Sequence, residues 1–147
     1  MNKIFIDCEF DGFGGPLISM GLVNSNGKEF YEVVDHGPIK DSWVMENVIP
    51  ILHKESVPYD VFQERLYRWL KPQCPFTLIA DWPDDIRYFL ESIMTGPGRM
   101  MDFSSLHFEV HRRWLHTKES VILHNALSDA RAIMQCYLDN EQARGAS

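Results

Sequence analysis

The sequence contains no long uninterrupted run of apolar residues. From Asp7 onward, charged residues interrupt the apolar N-terminal stretch. No segment therefore reaches the length of a membrane span or of the apolar part of a secretory signal. No low-complexity run or internal repeat is visible either. We expect a cytoplasmic protein that does not act at a membrane.

Paired cysteines are also lacking. The three cysteines, Cys8, Cys74 and Cys136, form no C-x-x-C pair. Their odd number and their apolar neighbours predict buried thiols, and they argue against disulfides or a zinc site built from cysteines. A reducing compartment is the natural inference.

Positive charge is in short supply. The chain has 14 Lys and Arg against 21 Asp and Glu, which gives a net charge of -7. This balance argues against broad electrostatic capture of long duplexes, because sequence-independent affinity for nucleic acid comes from Lys and Arg on phosphates. It does not exclude a nuclease, since clustered carboxylates can hold cations that screen a substrate phosphate.

The composition that remains is that of an ordinary folded protein. At 147 residues, with 45% hydrophobic and 24% charged residues, the chain is long enough to bury a core. It is too short for two such domains side by side. We expect a single domain over residues 1–147.

Hydrophobic periodicity predicts an alternation of strands and helices. Strands are predicted at residues 3–10, 17–23, 28–34, 76–80 and 106–110. Helices are predicted at residues 43–53, 61–70, 84–93 and 126–138. This order predicts an α/β fold with a mixed five-stranded sheet, in which three antiparallel strands are followed by two parallel additions and helices flank the sheet. It is similar to the ribonuclease H-like fold.

Two acids stand near the carboxyl end of the first predicted strand. Side chains alternate along a strand, so Asp7 and Glu9 leave the same face roughly 7 Å apart. An isolated Asp-x-Glu is more often a pair of exposed acids. A buried pair without cations would suffer desolvation and mutual repulsion, which metal binding relieves.

Two further groups of polar residues follow at predicted helix starts. Asp81, Asp84 and Asp85 lie at the start of the helix at 84–93, and for at least one of them capping that helix is the expected role. His124 precedes the last helix and Asp129 lies about a turn and a half further on. A lone histidine there would more often be a surface or cap residue, and Asp129 changes those odds.

A rival metal site is offered by three other histidines, His107, His111 and His116. An i, i+4 histidine pair on a helix can bind zinc. We discount this alternative, because the segment reads partly as a strand, where such spacing separates the pair, and no acidic general base accompanies it.

Taken together, the acidic motifs resemble those of the DEDDh 3′-to-5′ exonucleases, a group that includes ribonuclease T and oligoribonuclease. The residues that carry the resemblance are Asp7-Cys8-Glu9, Asp85 and the run His124-Asn125-Ala126-Leu127-Ser128-Asp129. The chain looks most like the small stand-alone bacterial 3′-to-5′ exoribonucleases first described in mycobacteria. It departs from the usual pattern at Phe10-Asp11-Gly12, where the family has threonine-glycine, and at Asp81-Trp82-Pro83-Asp84-Asp85.

The resemblance implies hydrolysis with two metal ions. Two cations about 4 Å apart would activate the attacking water and stabilise the departing oxygen. The implied ligands are Asp7, Glu9, Asp85 and Asp129, with Asp81 as the alternate to Asp85. Oxygen ligands favour Mg²⁺ or Mn²⁺. His124 would act as the general base.

The resemblance also implies a substrate and an assembly. Phe10 and Phe13 would lie beside the terminal nucleotide together with His124, although core packing is an equal alternative for either phenylalanine. We expect short or single-stranded RNA 3′ ends as substrate, nucleoside monophosphates as product, and a homodimer. The alternatives are a DNA exonuclease and a catalytically silent ribonuclease H-like module that binds nucleic acid or protein.

Overall fold

The computed structural model describes residues 1–113, 115 and 120–145. The strands are β1 (Asn2–Phe10), β2 (Leu17–Asn24), β3 (Glu29–Val34), β4 (Ser56–Val57), β5 (Phe76–Ala80), β6 (Met94–Gly96), β7 (Arg99–Met100) and β8 (His107–Val110). The helices are α1 (Ser42–Asn47), α2 (Tyr59–Leu70), α3 (Pro83–Ile93) and α4 (Ala126–Gly145), with 3-10 turns at Ile49–Ile51 and Lys71–Gln73.

A mixed sheet organises the described part of the chain, as the sequence predicts. Its strand order is β4-β3-β2-β1-β5-β8, and β6 and β7 form a separate hairpin. The first three strands are antiparallel, while β5 runs parallel to β1 and β8 parallel to β5. The predicted count of five strands is wrong, because β4 adds a sixth strand beside β3. A strand of two residues is too short to show a period in the sequence.

Strand β1 lies inside the sheet and is covered on both faces. Ile4, Ile6 and Cys8 pack into the larger core, which α2 and α3 close. Phe5 faces the other way, into a smaller core formed largely by α4. The predicted alternation along β1 is therefore confirmed, and it directs Asp7 and Glu9 to the face that α4 covers.

The start of α4 lies directly on the backbone of β2. A Cβ atom at Gly21 would come within 2.5 Å of the Ala126 carbonyl and the Leu127 nitrogen. Gly21 is also the antiparallel partner of Asp7. The absence of a side chain at this one position lets α4 approach the strand pair that carries the acids.

Several local predictions need correction. The helix predicted at 43–53 is α1 followed by the 3-10 turn that contains Pro50, and α4 runs on to Gly145. The cap position of α3 is taken by Trp82, so none of the neighbouring acids occupies it. All three cysteines are free as expected, but only Cys8 is buried, while Cys74 is exposed. Within the described residues, no helix combines the length and apolar character that crossing a bilayer requires.

Candidate metal centre

The structure brings the acids of the three sequence motifs together in two groups of three residues. One group is Asp7, Asp81 and Asp85, and the other is Glu9, His124 and Asp129. Within each group, one ligand atom from every residue lies within 4.8 Å of the others. All five site positions predicted from the sequence therefore fall in these groups, and so does the alternate, Asp81.

Strand β1 supplies one acid to each group. Asp7 is only 8% exposed and Glu9 is half-buried. They leave the α4 face of the strand near its carboxyl end, one period apart. The two groups are thus neighbours along a single strand.

Helix α3 brings Asp85 to β1 through a hydrogen bond. The backbone N–H of Cys8, the residue between Asp7 and Glu9, donates to Asp85 Oδ1 over 3.0 Å. Asp81 follows β5, the parallel neighbour of β1, so it reaches the same sheet edge. Both acids lie beside Asp7, and the choice between them as a metal ligand stays open.

The segment before α4 holds His124 in an unusual conformation. His124 has a φ of 71°, in the left-handed region that residues other than glycine seldom occupy. Its backbone N–H donates to Asp129 Oδ2 over 3.1 Å. Asn125 caps the helix, since its Oδ1 accepts from the Ser128 N–H. These bonds fix His124 and Asp129 relative to each other.

Burial and mutual repulsion raise the pKa values of all four proposed ligands. The pKa of Asp7 is raised well above its usual range, first by desolvation and then by the charge of Asp85. Desolvation followed by the charge of Asp129 raises the pKa of Glu9 to about 8. Desolvation raises the pKa of Asp129 to about 6. The pKa of Asp85 is raised by desolvation and then by Asp81, against the Cys8 hydrogen bond.

No lysine or arginine compensates these acids within the described parts of the chain. No ion pair there joins Asp7, Glu9, Asp85 or Asp129 to a lysine or arginine. Asp7 Oδ2 and Asp129 Oδ1 are buried and accept no hydrogen bond from any described residue. Buried anionic oxygens of this kind are costly unless a cation binds them. The carboxylates of the two groups offer oxygen ligands and no thiolate, which fits Mg²⁺ or Mn²⁺.

The two phenylalanines predicted beside the substrate differ in their surroundings. The Phe10 ring stacks on Tyr88 at 4.7 Å and packs against the larger core, so the core-packing alternative describes its position. Phe13 is 96% exposed in the loop after β1. A contact with a nucleotide stays a prediction for both phenylalanines.

Sequence reasoning missed Trp43, whose ring lies against the His124 imidazole. The ring centroids are 4.8 Å apart and the planes meet at 79°, an edge-to-face contact. No motif signals this contact, because it arises only when α1 packs beside the start of α4.

The rival histidine site gains no support. His107 lies in β8 and its Nε2 contacts the Ser105 hydroxyl, while His111 contacts Glu109 at 2.8 Å. His116 lies outside the described residues. The groups of potential ligands found among the described residues include neither His107 nor His111.

No protein-family model matches the chain, and no curated protein matches it significantly. Function is therefore inferred from the chemistry of the site.

Proposed function

We propose that the protein is a metal-dependent 3′-to-5′ exonuclease with a ribonuclease H-like fold, acting on short or single-stranded RNA and releasing nucleoside monophosphates. One observation carries this proposal. Acids from β1, from the β5–α3 junction and from the start of α4 converge, together with His124, on one sheet edge. Uncompensated buried carboxylates in that number favour a site for divalent cations over a structural role.

The cations would be held by Asp7, Glu9 and Asp129 together with Asp85 or Asp81. When bound, they would neutralise the charge of the scissile phosphate and activate a water molecule. The orphaned oxygens of Asp7 and Asp129 are the best candidates for ligand atoms, since no described donor competes for them.

His124 is the proton acceptor in this proposal. An imidazole that lies beside the acids can take a proton from the attacking water. Its backbone is tied to Asp129, so the imidazole is placed by the same element that carries a ligand.

RNA is preferred over DNA as the proposed substrate, by the motif resemblance and the acidic net charge of -7. The exposed Phe13 offers a face on which a base can stack without regard to sequence. A homodimer and a cytoplasmic location belong to the same proposal.

The test uses RNA and DNA oligomers of one sequence, labelled at the 5′ end and incubated with Mn²⁺. We expect a ladder that shortens from the 3′ end and forms faster on RNA. His124→Asn should lower the turnover number about 100-fold or more while changing KM little, because loss of a general base costs about that much. Asparagine is chosen because it tolerates the left-handed backbone of His124.

A matched control exists in the chain. His53 also has a positive φ, of 54°, and it is exposed and belongs to neither group of potential ligands. His53→Asn should therefore leave turnover unchanged. Wild-type protein that is stabilised by Mn²⁺ but shortens neither oligomer would reject the enzyme and favour a silent binding module.

A further inference from the structure

The His124 imidazole needs an orienting partner beyond its own backbone. The backbone N–H is fixed by Asp129, but the left-handed conformation does not by itself determine how the ring turns about its side-chain torsions. The Trp43 ring packs edge-to-face against the imidazole at 4.8 Å. Trp43 therefore restricts the ring.

The Trp43 side chain is only partly buried, so core packing alone does not fix its position. It is 50% exposed and lies at the second position of the six-residue helix α1. Its backbone N–H donates to Asp41 Oδ1 over 2.9 Å, and the Val44 N–H donates to the same oxygen over 3.2 Å. The position of the indole thus depends on where the Asp41 segment lies.

Asp11 fixes that segment. Its Oδ2 accepts from the Lys40 N–H and its Oδ1 from the Asp41 N–H, each over 2.9 Å. Asp11 is buried, and these two amides lower its pKa. A carboxylate that accepts two backbone bonds with both oxygens sets direction as well as distance. Asp11 also lies only two residues beyond Glu9, on the same strand-to-loop segment.

The spacing between the two loops leaves little freedom. A Cβ atom at Gly12 would lie 3.1 Å from Asp41 Oδ2, so the loop after β1 touches the Asp41 side chain closely. The loop that follows Glu9 is therefore in direct contact with the segment that precedes Trp43.

We propose that Asp11 is a positioning residue, which places Trp43 so that the indole holds the His124 imidazole facing Glu9 and Asp129. The contact chain runs from Asp11 through Asp41 to Trp43 and ends on His124. Its kinetic consequence rests on the proposed nuclease function. Its structural consequence does not, because the orientation of His124 can be observed without turnover.

The structural test is an NMR spectrum of protein labelled at histidine, recorded with Mg²⁺. The His124 ring signal, identified by its loss in His124→Asn, should carry a ring-current shift from Trp43. Trp43→Leu should remove that shift, and Asp11→Ala should remove it as well. A His124 signal that stays at its wild-type position in Asp11→Ala overturns the proposal.

Two controls separate positioning from general destabilisation. Asp35, another loop acid, accepts a hydrogen bond from the Ser56 hydroxyl of β4, so Asp35→Ala should leave the His124 signal in place. Met45→Ala changes an exposed side chain of the same helix and should also leave it in place. Asp11→Asn keeps the shape of the side chain but replaces one of its two accepting oxygens with an NH2 group, so it should also shift the His124 signal and it keeps the proposal open to test if Asp11→Ala fails to fold.

The kinetic test compares the same variants on the RNA oligomer. Asp11→Ala and Trp43→Leu should each lower kcat about ten-fold with little change in KM, since a misplaced catalytic group slows chemistry more than binding. Equal kcat for wild type and both variants overturns the inference while leaving the proposed function intact. An inactive wild type rejects the proposed function, and the NMR result then decides the positioning of His124 alone.

Discussion

At the scale of single residues, burial imposes an electrostatic cost on Asp7. It is buried, and its pKa is raised by desolvation and by the charges of Asp85, Glu9, Asp129 and Asp81. Its Oδ2 has no hydrogen-bond donor among the described residues. A side chain that opposes folding this strongly is expected where a ligand compensates the cost.

Asp7→Asn should therefore stabilise the protein when metal is absent. The amide keeps the shape of the carboxylate and removes its charge, so in EDTA at about pH 8 the melting temperature should rise by about 3 °C or more. The stabilisation that Mn²⁺ gives the wild type should disappear in the same variant. Asp35→Asn, at an exposed acid, should change neither quantity. A lower melting temperature in EDTA for Asp7→Asn would contradict the repulsion that we infer.

At the scale of elements, the site depends on how closely α4 approaches the sheet. The helix begins at Ala126, whose carbonyl would clash with any side chain at Gly21. Asn125 holds this helix start from the other side, because its Nδ2 donates to the Ile51 carbonyl over 2.9 Å. Strand β2 and the 3-10 turn after α1 together determine the distance between Asp129 and β1.

Gly21→Ala should push the start of α4 away from β2. The added Cβ meets backbone atoms at 2.5 Å, so the helix must shift rather than a flexible side chain. Overpacking of this kind costs about 1–3 kcal/mol, which thermal unfolding would register. Stabilisation by Mn²⁺ should weaken as well, because Asp129 moves away from Glu9.

Gly96→Ala is the matched control for this substitution. A Cβ there meets only an Arg99 side-chain atom at 3.9 Å, an ordinary contact. That variant should bind Mn²⁺ as the wild type does. Equal Mn²⁺ stabilisation of Gly21→Ala and Gly96→Ala would show that the close approach is not needed.

At the scale of the whole molecule, the acids link stability to pH. Glu9 has a folded-state pKa of about 8 against an ordinary value of 4.5, and Asp129 about 6 against 3.8. Folding therefore takes up protons between these values. The stability that the protonated forms contribute is complete below the ordinary values and is lost as pH rises through the folded-state values.

The metal-free protein should accordingly become less stable from about pH 5.5 to about pH 8.5. Melting temperatures measured in EDTA across this range should fall steadily. Added Mg²⁺ should restore more stability at the alkaline end, because the ligands bind as carboxylates. A melting temperature in EDTA that is constant or rises over this range would be incompatible with the raised pKa values.

The sequence could predict those parts of the site that depend on local periodicity. Alternation along β1 placed Asp7 and Glu9 on one face, and the position of His124 and Asp129 at a helix start followed from spacing alone. The choice between Asp81 and Asp85 could not be made, because both lie at the same strand-to-helix junction and both reach Asp7.

Features that depend on contacts between distant segments could not be predicted from the sequence. Strand β4 is defined by its parallel pairing with β3, and its two residues are too few to show hydrophobic alternation. The contact of Trp43 with His124 joins helix α1 to the segment before α4, which lie far apart in the sequence, so no local spacing could reveal it. The same holds for the bond from Cys8 to Asp85, which spans the chain from β1 to α3.

The order in which the acids occur along the chain has a consequence during synthesis. A nascent chain that has emerged from the ribosome as far as α3 already carries Asp7, Glu9, Asp81 and Asp85, but it lacks His124 and Asp129. The second group of ligands is complete only after α4 has been translated and has docked on β2. The full centre therefore cannot assemble before His124 and Asp129 have been synthesised.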